Sequence, residues 1–183
     1  MLFRSAAFPS GRGDGAPMNA LVNSNSDDIV WIGMGSAETP LLIANSAGYG
    51  FRCKLGDLAT KTRQGKDFMS VPEGAKALPP APAGQGSAVA ALSSDARLLL
   101  FPLDELPLRP NGGVGVQVIG LPDKVSLANV LVFDGKSLKV SGIKRKNRAE
   151  ETIQGKDLEN YEGKRAQRGR VCDVGFRPDR LGA

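Results

Sequence analysis

The chain has 183 residues, 41% apolar and 23% charged, with a net charge of +5, so it can bury one sizeable core and has the composition of a folded domain. It contains no histidine, which removes Ser-His and Cys-His relays and His-ligated zinc together. No apolar run nears the roughly 20 residues of a bilayer span and no charged-apolar-small leader opens the chain, so a cytoplasmic protein without a membrane partner is expected.

In chain order, residues 2–21 read as the second half of a repeated unit, with Gly13 in its turn and Phe8 as its apolar anchor. Within it, "SGRGDGAP" (10–17) has three readings: adhesion ligand, phosphate-cradling loop or ordinary turn. The run "DIVWIGM" (28–34) reads as a strand, with Trp31 as a core or interblade anchor. Residues 41–71 then give an apolar strand, a small polar turn, a second strand ending at Cys53, a leucine-anchored loop, a basic glycine turn and a final strand. "ALPPAPAGQG" (77–86) carries Pro79, Pro80 and Pro82 and is expected at an edge or between sheets, because proline cannot donate to a central ladder.

Residues 89–121 repeat the 41–71 layout. At an offset of 48, Ser46 falls on Ser94, Leu58 on Leu106 and Gly65 on Gly113, and Val71-Pro72 meets Leu121-Pro122 after a two-residue slip. "VLVFDGKSLKV" (130–140) predicts a third hairpin turning at Asp134-Gly135. Residues 147–164 carry a helical turn or two at most, given Gly155. The tail 158–176 repeats the end of the unit, with Gly169 in the turn and Val171–Val174 as the closing strand.

Gly13, Gly65, Gly113 and Gly169 are therefore spaced 52, 48 and 56 apart. Arg12-Gly13-Asp14 is one of four equivalent turns, which answers the question its tripeptide raises. A phosphate loop would open a helix, whereas an apolar strand pattern follows each of these turns. A period near 50 with several short strands per unit predicts an all-β, propeller-like array of four-stranded blades in an open crescent. One domain, 1–183, is expected, divided as a partial blade at 1–40 and blades at 41–88, 89–129 and 130–183.

Candidate chemistry is sparse. The acids stand singly or as adjacent pairs (Asp27-Asp28, Asp104-Glu105, Glu150-Glu151), a pattern that gathers no catalytic or metal site. Cys53 and Cys172 lack CxxC spacing and read as small buried hydrophobes. Charge placement is more telling: Lys144–Arg180 holds 11 Lys/Arg against 7 Asp/Glu, a net +4 of the total +5. Such an asymmetry suggests a polyanion-binding face or a solvated basic tail.

Four stretches, "FPSGRGDG" (8–15), "SAGYGFRCKLGDLATKTRQGKDFMSVPEGAKALPP" (46–80), "RLLLFPLDELP" (97–107) and "KRAQRGRVCDVGF" (164–176), resemble the C-terminal β-pinwheel of type II DNA topoisomerase A subunits, and among them the topoisomerase IV type. Gyrase A subunits carry a Gln-Arg-Arg-Gly-Gly-Lys-Gly box that secures tight wrapping. The nearest stretch here, Gln167-Arg168-Gly169-Arg170, is degenerate, which favours the topoisomerase IV type over gyrase.

The resemblance implies sequence-independent binding and bending of duplex DNA, guiding it to a catalytic core for decatenation, supercoil relaxation and chromosome segregation on the bacterial nucleoid. The partners implied are duplex DNA, the B subunit, and the rest of the A subunit. No catalytic residue and no cofactor is expected in this segment; ATP and magnesium belong to the holoenzyme, and neither Tyr49 nor Tyr161 sits in the context of a cleavage tyrosine. The expected DNA-binding residues are Arg12, Lys61, Arg63, Lys66, Lys164, Arg165, Arg168 and Arg170 at the turns, the cluster Lys144, Arg145, Lys146 and Arg148, and strand residues Arg52 and Lys54. The rival reading is a propeller-like protein-interaction scaffold. Truncation after Val140 is expected to abolish DNA binding while the remaining blades stay folded.

Overall fold

The computed structural model describes residues 29–61, 65–84 and 86–182; Arg12, Gly13 and Arg63 lie outside them. It is all-β, an open pinwheel-like row of three antiparallel sheets. No helix among the described residues is long and apolar enough to cross a membrane. Three hairpins form the sheet centres: β1 (Pro40–Ala44) with β2 (Tyr49–Lys54), β4 (Ala88–Ser93) with β5 (Arg97–Pro102), and β8 (Ser137–Lys144) with β9 (Asn147–Gln154). Each first strand also pairs with a later strand of its own unit: β3 (Ala81–Pro82) on β1, β7 (Leu127–Phe133) on β4, and β11 (Arg177–Gly182) on β8.

The fourth strand comes from the next unit. β6 (Val116–Gln117) pairs with β2, as Gly50 to Val116 and Tyr49 to Gln117. β10 (Arg170–Val171) pairs with β5, as Leu98 to Arg170 and Arg97 to Val171. The sheets therefore run β3-β1-β2-β6, β10-β5-β4-β7 and β11-β8-β9, the last having three strands among the described residues.

Both faces of the first two sheets are buried, which explains their unbroken apolar strands. Val89 and Ala91 of β4 join Leu42, Ala44 and Leu99 in one core, while Ala90 and Leu92 join Leu98, Leu138 and Val140 in the next. A third cluster covers the outer face of the first sheet with Leu41, Ile43, Phe51 and Cys53. Leu58 and Leu106, the loop anchors, are both buried, and Leu158 on the single-turn helix α1 (Lys156–Glu159) is a third.

Four sequence expectations change. Residues 29–34 form no strand, although Trp31 does pack on a hydrophobic cluster, the outer one, as do Leu55 and Met69. The Asp134-Gly135 turn exists, with Gly135 at φ +81° and the Asp134 carboxylate accepting the Lys136 amide. Yet β7 and β8, which it joins, enter different sheets and do not pair. A turn signal reports reversal of the chain, not which sheet each arm joins. The real partner of β8 is β9, in a stretch expected to be loop or helix, and its turn is Arg145-Lys146, at φ +46° and +78°. The equivalent of Gly169 is Gly115 rather than Gly113: a Cβ on Gly169 would come 2.6 Å from the Leu98 carbonyl oxygen, and one on Gly115 2.7 Å from that of Gly50. The two-residue slip in the repeat precedes this glycine.

Cys53 and Cys172 are buried free thiols, and burial pushes them up to about 12 and about 11 from 9.0. A raised thiol stays protonated in the fold while the unfolded chain ionises. Their contribution to stability is therefore complete below pH 9 and is lost as pH rises toward 11–12. Urea unfolding across that range should show stability falling with pH, and the fall should flatten in a Cys53→Ala/Cys172→Ala variant.

Candidate nucleic-acid interface

The hairpin turns of the three sheets meet on one rim. In the first sheet, the Ser46 amide donates to the Lys76 carbonyl (2.8 Å) and the Lys76 amide to Ser46 Oγ (2.9 Å). In the second, Ser94 makes the same pair with Ser126, at 2.8 and 3.0 Å. Ser46 and Ser94 thus do the same structural work, as their offset of 48 suggests. The rims join because the Leu127 amide, next to Ser126, donates to the Ser46 carbonyl (2.8 Å). The third sheet is tied in by Arg177 Nη2, which donates to the Ser94 carbonyl (2.8 Å), while Arg177 itself pairs with Ile143 just before the β8–β9 turn.

This arrangement collects cations remote in sequence. Lys144, Arg145, Lys146 and Arg148 are exposed on the β8–β9 turn. Arg168 and Arg170 stand on the segment that enters β10 and are also exposed. Arg97 and Arg177, absent from the sequence-based candidates, complete the group; Arg97 Nη1 donates to the Gly169 carbonyl (3.1 Å). Arg97 could have been found by its offset of 48 from Tyr49, which marks it as the first residue of a second strand.

Three rim arginines carry acid partners. Arg168 Nη2 lies 3.8 Å from Asp95 Oδ2, which also faces Arg97 Nε at 3.5 Å. Arg148 Nη1 contacts both oxygens of Asp179 at 2.8 Å. Among the described residues, Lys144, Arg145, Lys146 and Arg170 form no ion pair. The Arg145-Lys146 turn is also conformationally costly, since two-residue hairpins of this hand need positive φ at both centres and normally use Asn and Gly.

The remaining candidates are placed elsewhere. Arg52 is half-buried, its Nε donating to the Leu106 carbonyl (2.7 Å), so it holds the loop before β6. Lys54 closes β2 at the end away from the Ser46 turn and pairs with Glu38 (2.6 Å), whose hydrogen bond and charge raise its pKa. Lys66 lies near that same end, with Nζ on the Asp57 carbonyl (3.2 Å) and over the Phe68 ring (5.0 Å). Lys61 is exposed close by in sequence. Lys164 is exposed, whereas Arg165 is half-buried and fixed between Gln117 and Glu105: its Nη1 donates to the Gln117 carbonyl (2.7 Å) and its amide to Glu105 Oε2 (2.9 Å). The structure thus separates two basic groups at opposite ends of the hairpins, the turn rim and the Lys54–Lys66 end.

A family model described as the DNA gyrase C-terminal domain, a β-propeller, matches residues 39–76 and 89–134. The chain is 33% identical over 179 residues to the DNA topoisomerase 4 A subunit of Haemophilus influenzae, covering 93% of this chain and 23% of that protein. It is 31% identical over 183 residues to the Escherichia coli counterpart, covering 95% and 24%. The chain therefore spans about a quarter of the length of the curated relatives it matches. The solved structure of the E. coli ParC C-terminal domain superposes with a TM-score of 0.82 at 28% identity, covering 97% of this chain and 74% of that one.

Proposed function

Because the chain belongs to the gyrase A C-terminal domain family, as a β-pinwheel of the topoisomerase IV ParC type, we propose that it grips duplex DNA by its phosphates and bends it toward the catalytic core of a type II topoisomerase. The observation that supports this reading is the turn rim, where Lys144, Arg145, Lys146, Arg168 and Arg170 are exposed on two neighbouring sheets whose turns Arg177 ties together. Phosphate contacts of this kind fix position without reading sequence. No recognition helix for base readout stands among the described residues, whose one α-helix is a single turn.

Bending some 20–30 base pairs costs on the order of 1–6 kcal/mol, which several phosphate contacts can offset. A row of sheets suits that task because each turn meets the duplex at a different point along its curve. In this reading the substrates are crossings and catenanes held on the bacterial nucleoid, in the cytoplasm, while ATP and magnesium act elsewhere in the holoenzyme.

The test is a salt titration of duplex affinity. Five to eight neutralised phosphates give a log-log slope of roughly −4 to −7. A flat response would remove the phosphate grip and favour a protein scaffold. Truncation after Val140 is not a clean version of this test: it also strips β10 from the second sheet and the partner strands β9 and β11 from β8. Single charge substitutions leave the sheets intact.

A further inference from the structure

Two acids stand where a polyanion would bind. Asp95 lies in the β4–β5 turn and accepts a hydrogen bond from the buried Ser93 Oγ, so its carboxylate is held toward Arg97 and Arg168. Asp179, on β11, offers both oxygens to Arg148 across the third sheet. Arg168 and Arg148 nevertheless remain 57% and 54% exposed, and ion pairs this open are worth only about 0–1 kcal/mol. Guanidinium binds carboxylate and phosphate with the same fork of donors. Both pairs can therefore open for a phosphate at little cost, and neither is needed to hold the sheets together.

Resting on the DNA reading above, we propose that Asp95 and Asp179 hold the places of duplex phosphates on Arg168 and Arg148, so that binding proceeds there by exchange of carboxylate for phosphate. The unpaired cations Lys144, Arg145, Lys146 and Arg170 make first contact. The paired arginines join when the duplex lies along both turns, since only then does a phosphate reach each of them. The acids thereby weaken partial contacts and reserve full affinity for a duplex curved along the rim.

The experiment compares Asp95→Asn, Asp179→Asn and Glu150→Gln by fluorescence anisotropy with a labelled duplex of about 30 base pairs, at about 50 and 200 mM salt. Glu150 is the control for net charge: it lies mid-strand in β9, 3.8 Å from Lys139 and away from the turn. Each Asp variant should bind about three- to tenfold tighter at the lower salt, and Glu150→Gln less than about twofold tighter. Adding Arg168→Ala to Asp95→Asn should erase the gain. Equal gains in all three variants, or none in either Asp variant, would overturn the exchange while leaving DNA binding intact. Failure of the wild type to bind duplex would sink the DNA reading and this proposal with it. Asn keeps an acceptor for Ser93 Oγ, and thermal melting checks the fold; Asp179→Asn carries the test alone if Asp95→Asn unfolds.

Discussion

Replacing Arg145 with Asn and Lys146 with Gly is expected to make the domain more stable and a poorer DNA binder. Both residues hold positive φ, +46° and +78°, in the two-residue turn between β8 and β9. Non-glycine residues pay roughly 1–2 kcal/mol each for that conformation, and Asn-Gly is the sequence such a turn favours. The double variant should gain about 1–2 kcal/mol in urea unfolding. It also removes two unpaired cations from the rim, so duplex affinity should drop about 10- to 100-fold at low salt and the salt slope shrink by about 1.8. An Arg145→Ala/Lys146→Ala pair separates the effects by losing the affinity without the full gain in stability. Unchanged binding in both would move the phosphate contacts off this turn.

A large loss of stability is expected from Gly169→Ala. Gly169 sits at φ +73° and its missing Cβ makes room for the Leu98 carbonyl oxygen, which a methyl would approach to 2.6 Å. That oxygen belongs to the backbone of a central strand and cannot swing aside. The clash is relieved only if β10 leaves β5, so the left-handed penalty adds to the lost strand pairing, about 3–4 kcal/mol together. Arg168 and Arg170 flank the same glycine, so the variant should also lose DNA affinity in its folded fraction. Gly74→Ala provides the comparison: its φ is +77° in the Pro72–Ala75 turn but nothing lies within 4 Å of a Cβ there, so it should cost only about 1–2 kcal/mol. Equal losses at the two glycines would show that strand crowding contributes nothing.

The sequence made the repeat legible because buried and hydrogen-bonded positions recur with it. Ser46 and Ser94 make matching turn contacts, and Leu58 and Leu106 are both buried at the ends of short 3-10 turns. Pro82 sits on a two-residue edge strand, as its missing N–H requires. Strand exchange was illegible, since β6 and β10 are two residues long and owe their partners to a sheet built earlier in the chain. The same blindness turned Asp134-Gly135 into a hairpin and hid β11, whose stretch Arg177–Gly182 has no alternating apolar pattern.

At the candidate interface, composition located the basic excess near residues 144–180. It could not separate projecting cations from Arg52 and Arg165, which clasp carbonyl oxygens. Nor could it reveal that Arg177 bridges two blades, because that contact spans 83 positions.

The donation of a strand from each unit to the sheet before it constrains how such a chain can lengthen or shorten over generations. A cut at the visible border between two sheets would leave one of them short and orphan a strand from the other. Duplication or loss preserves every pairing only when both break points fall at matching places in successive units, such as the turns at Ser46 and Ser94. The heritable module is therefore one full period of the chain, which no single folded sheet contains.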